Sequence, residues 1–118
     1  MLEKLYYYKA KLIRVIDGDT LVVDLDLGLG VWQHSVRLRL AGINCPEIKG
    51  ENKTEGLKSK EYVKTLLPVN LIVNTRSFDS FGRAIGFVYY PDKEKDDHPW
   101  LSLSDHLVST GYAIKRKY

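Results

Sequence analysis

The sequence predicts a mainly β fold with added helices (α+β), and three observations lead to this prediction. Several segments alternate apolar and polar residues with the period of two that is typical of strands. Two other segments have apolar residues at helical spacing. The chain has 118 residues, of which 44% are hydrophobic and 28% charged, the composition of a globular domain. We therefore expect residues 1–118 to form one domain.

The first two predicted strands are residues 6–16 and residues 21–27. The first strand is rich in Tyr, Ile, Leu and Val and is followed by Asp17-Gly18, a strong signal for a tight turn. The second strand alternates between an apolar face and a face that contains both of its acidic residues. We expect the apolar face to line the core.

The third predicted strand, residues 31–41, forms a hairpin with the second. Gly28-Leu29-Gly30 reverses the chain between them. With the reversal centred on Leu29, Asp19 lies opposite Arg39 at the base of the hairpin, unless a bulge shifts the register. One face of the third strand is apolar and the other basic, through Val36, Leu38 and Leu40 on the first and Arg37 and Arg39 on the second.

The second half of the chain predicts a helix, two strands and a second helix. Residues 42–54 are rich in Gly, Asn, Pro and charge, which indicates a loop. A helix is predicted over residues 54–67, with Thr54 as its cap and an apolar stripe that begins at Leu57. The remaining elements are predicted strands at 71–75 and 81–90 and a predicted helix at 100–111, capped by Ser102 or Ser104 and ended by Gly111.

This order of elements predicts a five-stranded OB-fold, a Greek-key barrel with one helix between strands three and four and a second helix at the C-terminus. Such barrels commonly bind nucleic acids or saccharides, but a fold alone does not determine a function.

Composition excludes some classes of protein and permits others. A single Cys rules out an internal disulfide framework, and no apolar run is as long as a membrane span. Charges recur throughout the first residues, where a signal peptide has an apolar core, so we expect a cytoplasmic protein with no membrane association. The net charge of +3 is compatible with a polyanionic partner without requiring one.

The residues that suggest chemistry lie at the base of the hairpin and in the loop after it. Asp19, Asn44 and Glu47 offer oxygen atoms of the kind that bind a hard cation such as calcium. The alternative is an ordinary Asp-Gly turn followed by a solvated loop charge. Cys45 is more typical of a small buried residue than of a nucleophile, because no Cys/His motif accompanies it.

Three motifs in this order resemble the staphylococcal nuclease (thermonuclease) family. They are VIDGDT at residues 15–20, RLAGINCPE at residues 39–47 and DSFGR at residues 79–83. The resemblance covers nearly the whole chain, and the hairpin at residues 21–32 is similar to that of the bacterial and phage branch.

The resemblance implies a calcium-dependent nuclease, a phosphodiesterase that acts on DNA and RNA. It implies that Asp19 and the backbone carbonyl of Cys45 bind the metal ion and that Glu47 orients or activates the attacking water. It also implies that Arg39 and Arg83 bind the scissile phosphate, a role for which planar guanidinium groups are well suited.

The chain departs from the family pattern at two places, and a third position matches it loosely. Asn44 replaces an aspartate that binds calcium, so we expect weaker calcium binding or use of another divalent cation. Ser80 and Phe81 replace a lysine and a tyrosine that contact the nucleotide, and Phe81 becomes a candidate substrate contact. Tyr118 lies near the position of a family tyrosine that stacks close to the base.

These observations leave three hypotheses for function. The first is a metal-dependent nuclease with DNA or RNA as its substrate, acting as a monomer or a homodimer. The second is an OB-fold module that binds nucleic acid but has weak or no catalytic activity, which the change at Asn44 favours. The third is a protein-interaction domain.

Overall fold

A computed structural model describes residues 6–46, 53–80, 82–91 and 100–115. These residues form eight strands and two helices. In chain order they are β1 Tyr7–Asp17, β2 Thr20–Gly28, β3 Val31–Leu40, β4 Ile43–Asn44, α1 Lys53–Leu66, β5 Asn70–Phe78, β6 Ala84–Pro91, β7 Trp100–Ser102, α2 Leu103–Ser109 and β8 Ile114–Lys115.

The five long strands close into a mixed barrel, which confirms the predicted OB-fold. The strand order in the sheet is β3-β2-β1-β5-β6-β7, and β3 also pairs with β6. That last pairing is parallel and runs from Leu38 opposite Ala84 to Leu40 opposite Gly86. It closes the barrel, while β7 extends the outer edge of β6 and the short strands β4 and β8 pair with each other.

The core contains the apolar faces of the strands, as the alternation predicts. Leu21, Val23 and Leu25 of β2 are buried inside the barrel. The side chains of Val36, Leu38 and Leu40 meet them from β3. Val63 of α1 and Leu103 and Leu107 of α2 complete this core.

The predicted register of the β2–β3 hairpin is wrong at its base. Thr20, not Asp19, pairs with Arg39. The register shifts between Val23 and Leu25 and again between Asp26 and Gly28, and each irregularity displaces the pairing by one residue. Only the middle of the hairpin, where Leu25 pairs with Gln33, has the predicted register.

The predicted apolar stripe of α1 is wrong at its first residue and right at Val63. Leu57 is exposed, whereas Gly56 and Ser59 are buried together with Val63, which the stripe includes. Small residues on this face allow the helix to approach the barrel closely, because they add little volume between the two backbones.

Two further boundaries differ from the predictions. The segment Trp100–Ser102 is a strand paired with β6 and not the start of a helix. The reason is the cap: the Ser102 side chain accepts a hydrogen bond from the Asp105 N–H while the backbone of Ser102 is extended, so α2 begins only at Leu103. Likewise β6 begins at Ala84 and not at residue 81, because backbone bonds from Asp79 N–H to the Arg83 carbonyl and from Gly82 N–H to the Asp79 carbonyl make a turn before it.

Candidate active site

The turn between β1 and β2 holds the Asp19 carboxylate in a buried position. Its Oδ1 accepts a hydrogen bond from the Thr20 hydroxyl at 3.2 Å. Its Oδ2 accepts one from the Cys45 N–H at 2.9 Å, although the two residues are 26 apart in the chain. The backbone carbonyl of Asp19 accepts a further bond from the Leu40 N–H at 2.8 Å. These bonds join the turn to the end of β3 and to the segment that follows β4.

Arg39 joins the same parts of the chain through its guanidinium group. Nη1 donates to the Leu40 carbonyl at 2.7 Å, and Nη2 donates to the Ile43 carbonyl at 2.8 Å and to the Asn44 Oδ1 at 2.5 Å. Nη2 also lies 3.4 Å from the Asp19 Oδ2. The Arg39 side chain is only 9% exposed, so this charge has protein oxygens and not bulk water as its main partners.

Gly18 allows the turn to pack against two other segments. A Cβ atom at this position would lie 2.9 Å from the Sγ of Cys45 and 2.9 Å from the Cβ of Ser59. Any side chain here would therefore push the turn away from α1 and from the Cys45 segment. The absence of a side chain at Gly18 is what allows the neighbouring Asp19 to reach the Cys45 N–H.

The Cys45 thiol is buried and unreactive. Burial, with a smaller contribution from the negative charge of Asp19, raises its pKa from 9.0 to about 12. The nearby Arg39 opposes this shift but does not cancel it. At neutral pH the thiol is protonated and is neither a nucleophile nor a good metal ligand, in agreement with the sequence interpretation. The backbone carbonyl of Cys45 stays the predicted contact for a cation.

Arg83 comes directly before β6, the strand that pairs with the strand of Arg39. In the parallel β3–β6 ladder Arg39 pairs with Ile85, and β6 begins at Ala84. A turn bonded to Asp79 holds Arg83 in place. The Arg83 Nε donates to the Asp79 Oδ2 at 2.7 Å, and its N–H donates to the Asp79 Oδ1 at 2.9 Å.

The structure therefore brings together Asp19, Arg39, Asn44 and Cys45, and it places Arg83 at the start of β6, bonded to Asp79. The other three predicted site residues, Glu47, Phe81 and Tyr118, lie outside the described residues.

The oxygen atoms of this cluster are of the kinds that bind a hard cation, but together they carry little negative charge. Asp19 offers a carboxylate, Asn44 an amide oxygen and Cys45 a backbone carbonyl, and oxygen ligands of these kinds bind calcium. Among the described residues, however, no group of three or more His, Cys, Asp or Glu side chains is arranged to hold a metal ion. Arg39 balances the one carboxylate of the cluster. Strong cation binding would need further negative charge, and Glu47 is the residue predicted to supply it.

Sequence reasoning missed two features of this site. It assigned Arg39 to phosphate and did not anticipate that the same side chain holds the turn and the Asn44 segment together. It also missed the contact of Gly18 with Ser59. A signal for this contact exists, because Gly56, Ser59 and Val63 have helical spacing and form a buried face of mostly small residues.

Comparison with known proteins identifies the family. The family model described as Staphylococcal nuclease homologue matches residues 37–118, well over half of the chain. The chain belongs to the staphylococcal nuclease family. The matched region contains Arg39, Asn44, Cys45 and Arg83, whereas Asp19 lies before it.

Individual members of the family are similar over most of this chain. It is 29% identical to endonuclease Htp3 of Saprolegnia parasitica over 89% of its length, and 34% identical to the thermonuclease of Staphylococcus hyicus over 67%. It is also 25% identical to the micrococcal nuclease of Shigella flexneri over 94% of its length. The chain spans about half the length of these curated relatives: 54%, 47% and 60% respectively. In the described residues neither helix is long and apolar enough to cross a membrane.

The two family arginines should differ in their contribution to stability. Replacing Arg39 by Lys removes the planar group that reaches four protein oxygens, and we expect the free energy of unfolding to fall by about 2–3 kcal/mol. Arg83 is 31% exposed, so the same replacement there should cost about 0–1 kcal/mol. Chemical denaturation of Arg39→Lys and Arg83→Lys measures the difference. Equal losses in the two variants would show that the Arg39 contacts do not support the site.

The stability of the protein should fall at alkaline pH because of Cys45. The pKa of this thiol is about 12 in the folded chain against 9.0 for the ordinary group, so folding favours the protonated form. The stabilisation is fully present below pH 9 and is lost as the pH rises towards 12. We expect the difference in unfolding free energy between the wild type and Cys45→Ala to shrink between about pH 8 and about pH 11. A pH-independent difference would contradict the raised pKa.

Proposed function

We propose that this chain is a nuclease that hydrolyses phosphodiester bonds in DNA or RNA with the help of a divalent cation, with calcium as the first candidate. One observation carries the proposal: the Asp19 carboxylate, the Asn44 amide and the Arg39 guanidinium are in direct contact at one point on the barrel. Anion-binding and cation-binding groups thus lie side by side, as the hydrolysis of a phosphodiester requires. The names of the relatives, which include thermonuclease and endonuclease, support the same activity.

The proposed mechanism gives the cluster the role of binding the cation and gives Glu47 the role of activating water. Asp19, Asn44 and the Cys45 carbonyl would hold the cation. When bound, the cation would neutralise charge on the phosphate and lower the cost of ionising water. Glu47 would orient the attacking water and accept its proton as the new P–O bond forms and the bond to the leaving oxygen breaks.

The two arginines would bind the phosphate through planar donors. Arg39 has five N–H donors, and its described bonds come from Nη1 and Nη2. Its Nε–H is therefore the first candidate for a phosphate oxygen. Arg83, at the start of the strand that pairs with β3, would be the second arginine to bind the phosphate. Phe81 and Tyr118 are proposed to contact the bases of the substrate.

The test is hydrolysis of a single-stranded oligonucleotide by the wild type and by Glu47→Gln. We expect activity in calcium that a chelator abolishes, and a loss of about 10²- to 10⁴-fold in kcat for Glu47→Gln, because proton transfer from water is impaired. Glu61→Gln is the matched control, since Glu61 is a solvent-exposed residue of α1 with a lysine partner. Wild type and Glu47→Gln that are equally inert in calcium, magnesium and manganese would refute the nuclease proposal.

A second candidate is an OB-fold module that binds nucleic acid without cleaving it. The observation that favours it is the charge balance of the cluster, because Arg39 offsets the carboxylate of Asp19 while Asn44 contributes no charge.

Asn44→Asp distinguishes the two candidates. A second carboxylate should tighten calcium binding by about tenfold or more, measured by isothermal titration calorimetry. If the site is catalytic, the variant should also reach half-maximal hydrolysis at a lower calcium concentration than the wild type. Tighter calcium binding without hydrolysis in either protein would favour the binding module, and Asn44→Ala serves as the control that removes the amide oxygen.

A further inference from the structure

The outer face of the sheet carries a row of basic side chains that leads away from the candidate active site. Arg37 pairs with Val22, which in turn pairs with Arg14 on β1, so the two arginines share this face. Lys11 and Lys9 follow on β1, opposite two acidic residues of β2. All four basic residues are exposed. We call Arg37, Arg14, Lys11 and Lys9 the basic track.

A bulge in β1 makes this track continuous. Lys11 and Arg14 are three residues apart and would face opposite ways in a regular strand. The register of β1 against β2 shifts between Leu12 and Arg14, so Ile13 is an extra residue and Arg14 returns to the outer face. Within the described residues neither Arg14 nor Arg37 has an ion-pair partner. Their charges are thus available to an anion.

The far end of the track opens into a cleft between two tryptophans. Trp32 of β3 and Trp100 of β7 line this cleft of about 360 Å³. They are 37% and 47% exposed, so their rings are accessible. Lys9 and Lys11 line the same cleft, and the Nζ of Lys11 lies 5.4 Å from the centre of a Trp32 ring. Asn70 adds an amide that both donates and accepts hydrogen bonds.

We propose that the basic track and this tryptophan cleft form a second binding surface, on which a single strand of nucleic acid lies with its phosphates along the track and a base stacked in the cleft. The inference rests on the proposed function, in that it extends the substrate contact beyond the cleaved bond. Indole rings offer stacking surfaces to any unpaired base, and lysine and arginine neutralise the backbone. A base-paired duplex has no free base to insert, which is why we assign the surface to single strands.

The acidic residues on this face do not outweigh the track. Asp24 accepts a hydrogen bond from the Ser35 N–H at 2.8 Å and pairs with His34 at 3.0 Å, so its charge has partners of its own. Asp26 lines the cleft beside Lys9 and offers an acceptor to the amino group of a base. Four cationic groups against two anionic ones leave the face positive, which favours a polyanion over a second copy of this basic chain.

The length of the track sets the length of substrate that can use it. Lys11 precedes Asp17 by six residues on β1, a distance of about 20 Å along the strand. The spacing in one strand of a duplex is about 3.4 Å per nucleotide, and an unstacked single strand is more extended, so at most roughly six nucleotides cover that distance. A probe of about 20 nucleotides is therefore long enough to occupy the candidate active site and the cleft together.

The experiment measures binding in the presence of a chelator, so that no strand is cleaved. The probe is a fluorescein-labelled oligothymidylate of about 20 nucleotides, and its anisotropy is followed from about 50 to about 200 mM salt. The test variants are the double variant Lys9→Gln/Lys11→Gln and the two single variants Trp100→Ala and Trp100→Phe. The matched control is Lys58→Gln with Lys64→Gln, two exposed lysines of α1. Thermal melting shows whether each variant is folded.

We expect the Lys9/Lys11 variant to weaken binding of the probe and to reduce its salt slope by about 1.4, the value for two phosphate contacts on a single strand. Trp100→Ala should weaken it by about five- to a hundredfold, with Trp100→Phe between it and the wild type. The control pair should behave as the wild type. Unchanged affinity in the Lys9/Lys11 and Trp100 variants, or an equal loss in the control pair, would overturn the proposal.

Two further results separate this proposal from others. Hydrolysis in calcium together with a probe affinity that does not depend on Lys9 and Lys11 would leave the nuclease proposal standing and overturn the second surface. Binding that depends on Lys9 and Lys11, without hydrolysis in any cation, would support the second surface and overturn the nuclease proposal. Sedimentation of the same variants completes the test. If the changes dissociate a dimer and leave the affinity for the oligonucleotide unchanged, the surface is an interface between two copies and our assignment is wrong.

Discussion

The buried guanidinium of Arg39 is the interaction on which the rest of the site depends. It contacts the end of its own strand, the Ile43–Asn44 strand and the carboxylate of Asp19 in the β1–β2 turn. Moving such a charge out of water costs several kcal/mol unless hydrogen bonds replace its hydration, and here protein oxygens do so. Its backbone pairs with Thr20 on one side and with Ile85 on the other. Arg39 therefore lies where the barrel closes and where the candidate site is assembled.

Arg39 has a structural task, and under the proposed function it would also bind phosphate. As a structural group it directs Nη1 and Nη2 at protein oxygens, and as a phosphate ligand it would direct its Nε–H at the substrate. A neutral amide at position 44 suits the structural task, because it accepts a hydrogen bond without adding charge. The Asn44 amide, at a position where the resemblance implies an aspartate, is thus consistent with a site whose geometry depends on the guanidinium and whose cation affinity would depend on a carboxylate elsewhere.

The sequence could predict the elements and the barrel more reliably than their details. The alternation in β3 correctly assigns Val36, Leu38 and Leu40 to the core. It cannot reveal which residue of a strand is extra, so the register at the hairpin base was wrong. A segment of three residues, Trp100–Ser102, has too few positions to distinguish a strand from a helix.

For the candidate site, the first two of the three motifs identify residues that the fold does bring together. Asp19, Arg39, Asn44 and Cys45 are in mutual contact or linked by one hydrogen bond, although no periodicity in the sequence connects them. What the motifs cannot show is that a helix face of small residues makes room for the turn. The space available to the turn depends on the size of side chains that are distant in the sequence, such as Ser59, which lies against Gly18.

The bulge at Ile13 has a consequence for how relatives of this chain should be aligned. On the N-terminal side of this residue Lys9 and Lys11 face outward, and on its C-terminal side Arg14 does, before a second register shift between Val15 and Asp17. A relative without the extra residue keeps a basic residue on the outer face only if that residue directly follows the one equivalent to Leu12. An alignment that opens a gap at Ile13 would therefore match outward-facing positions with outward-facing positions, whereas an alignment without the gap would match them with positions that face the core.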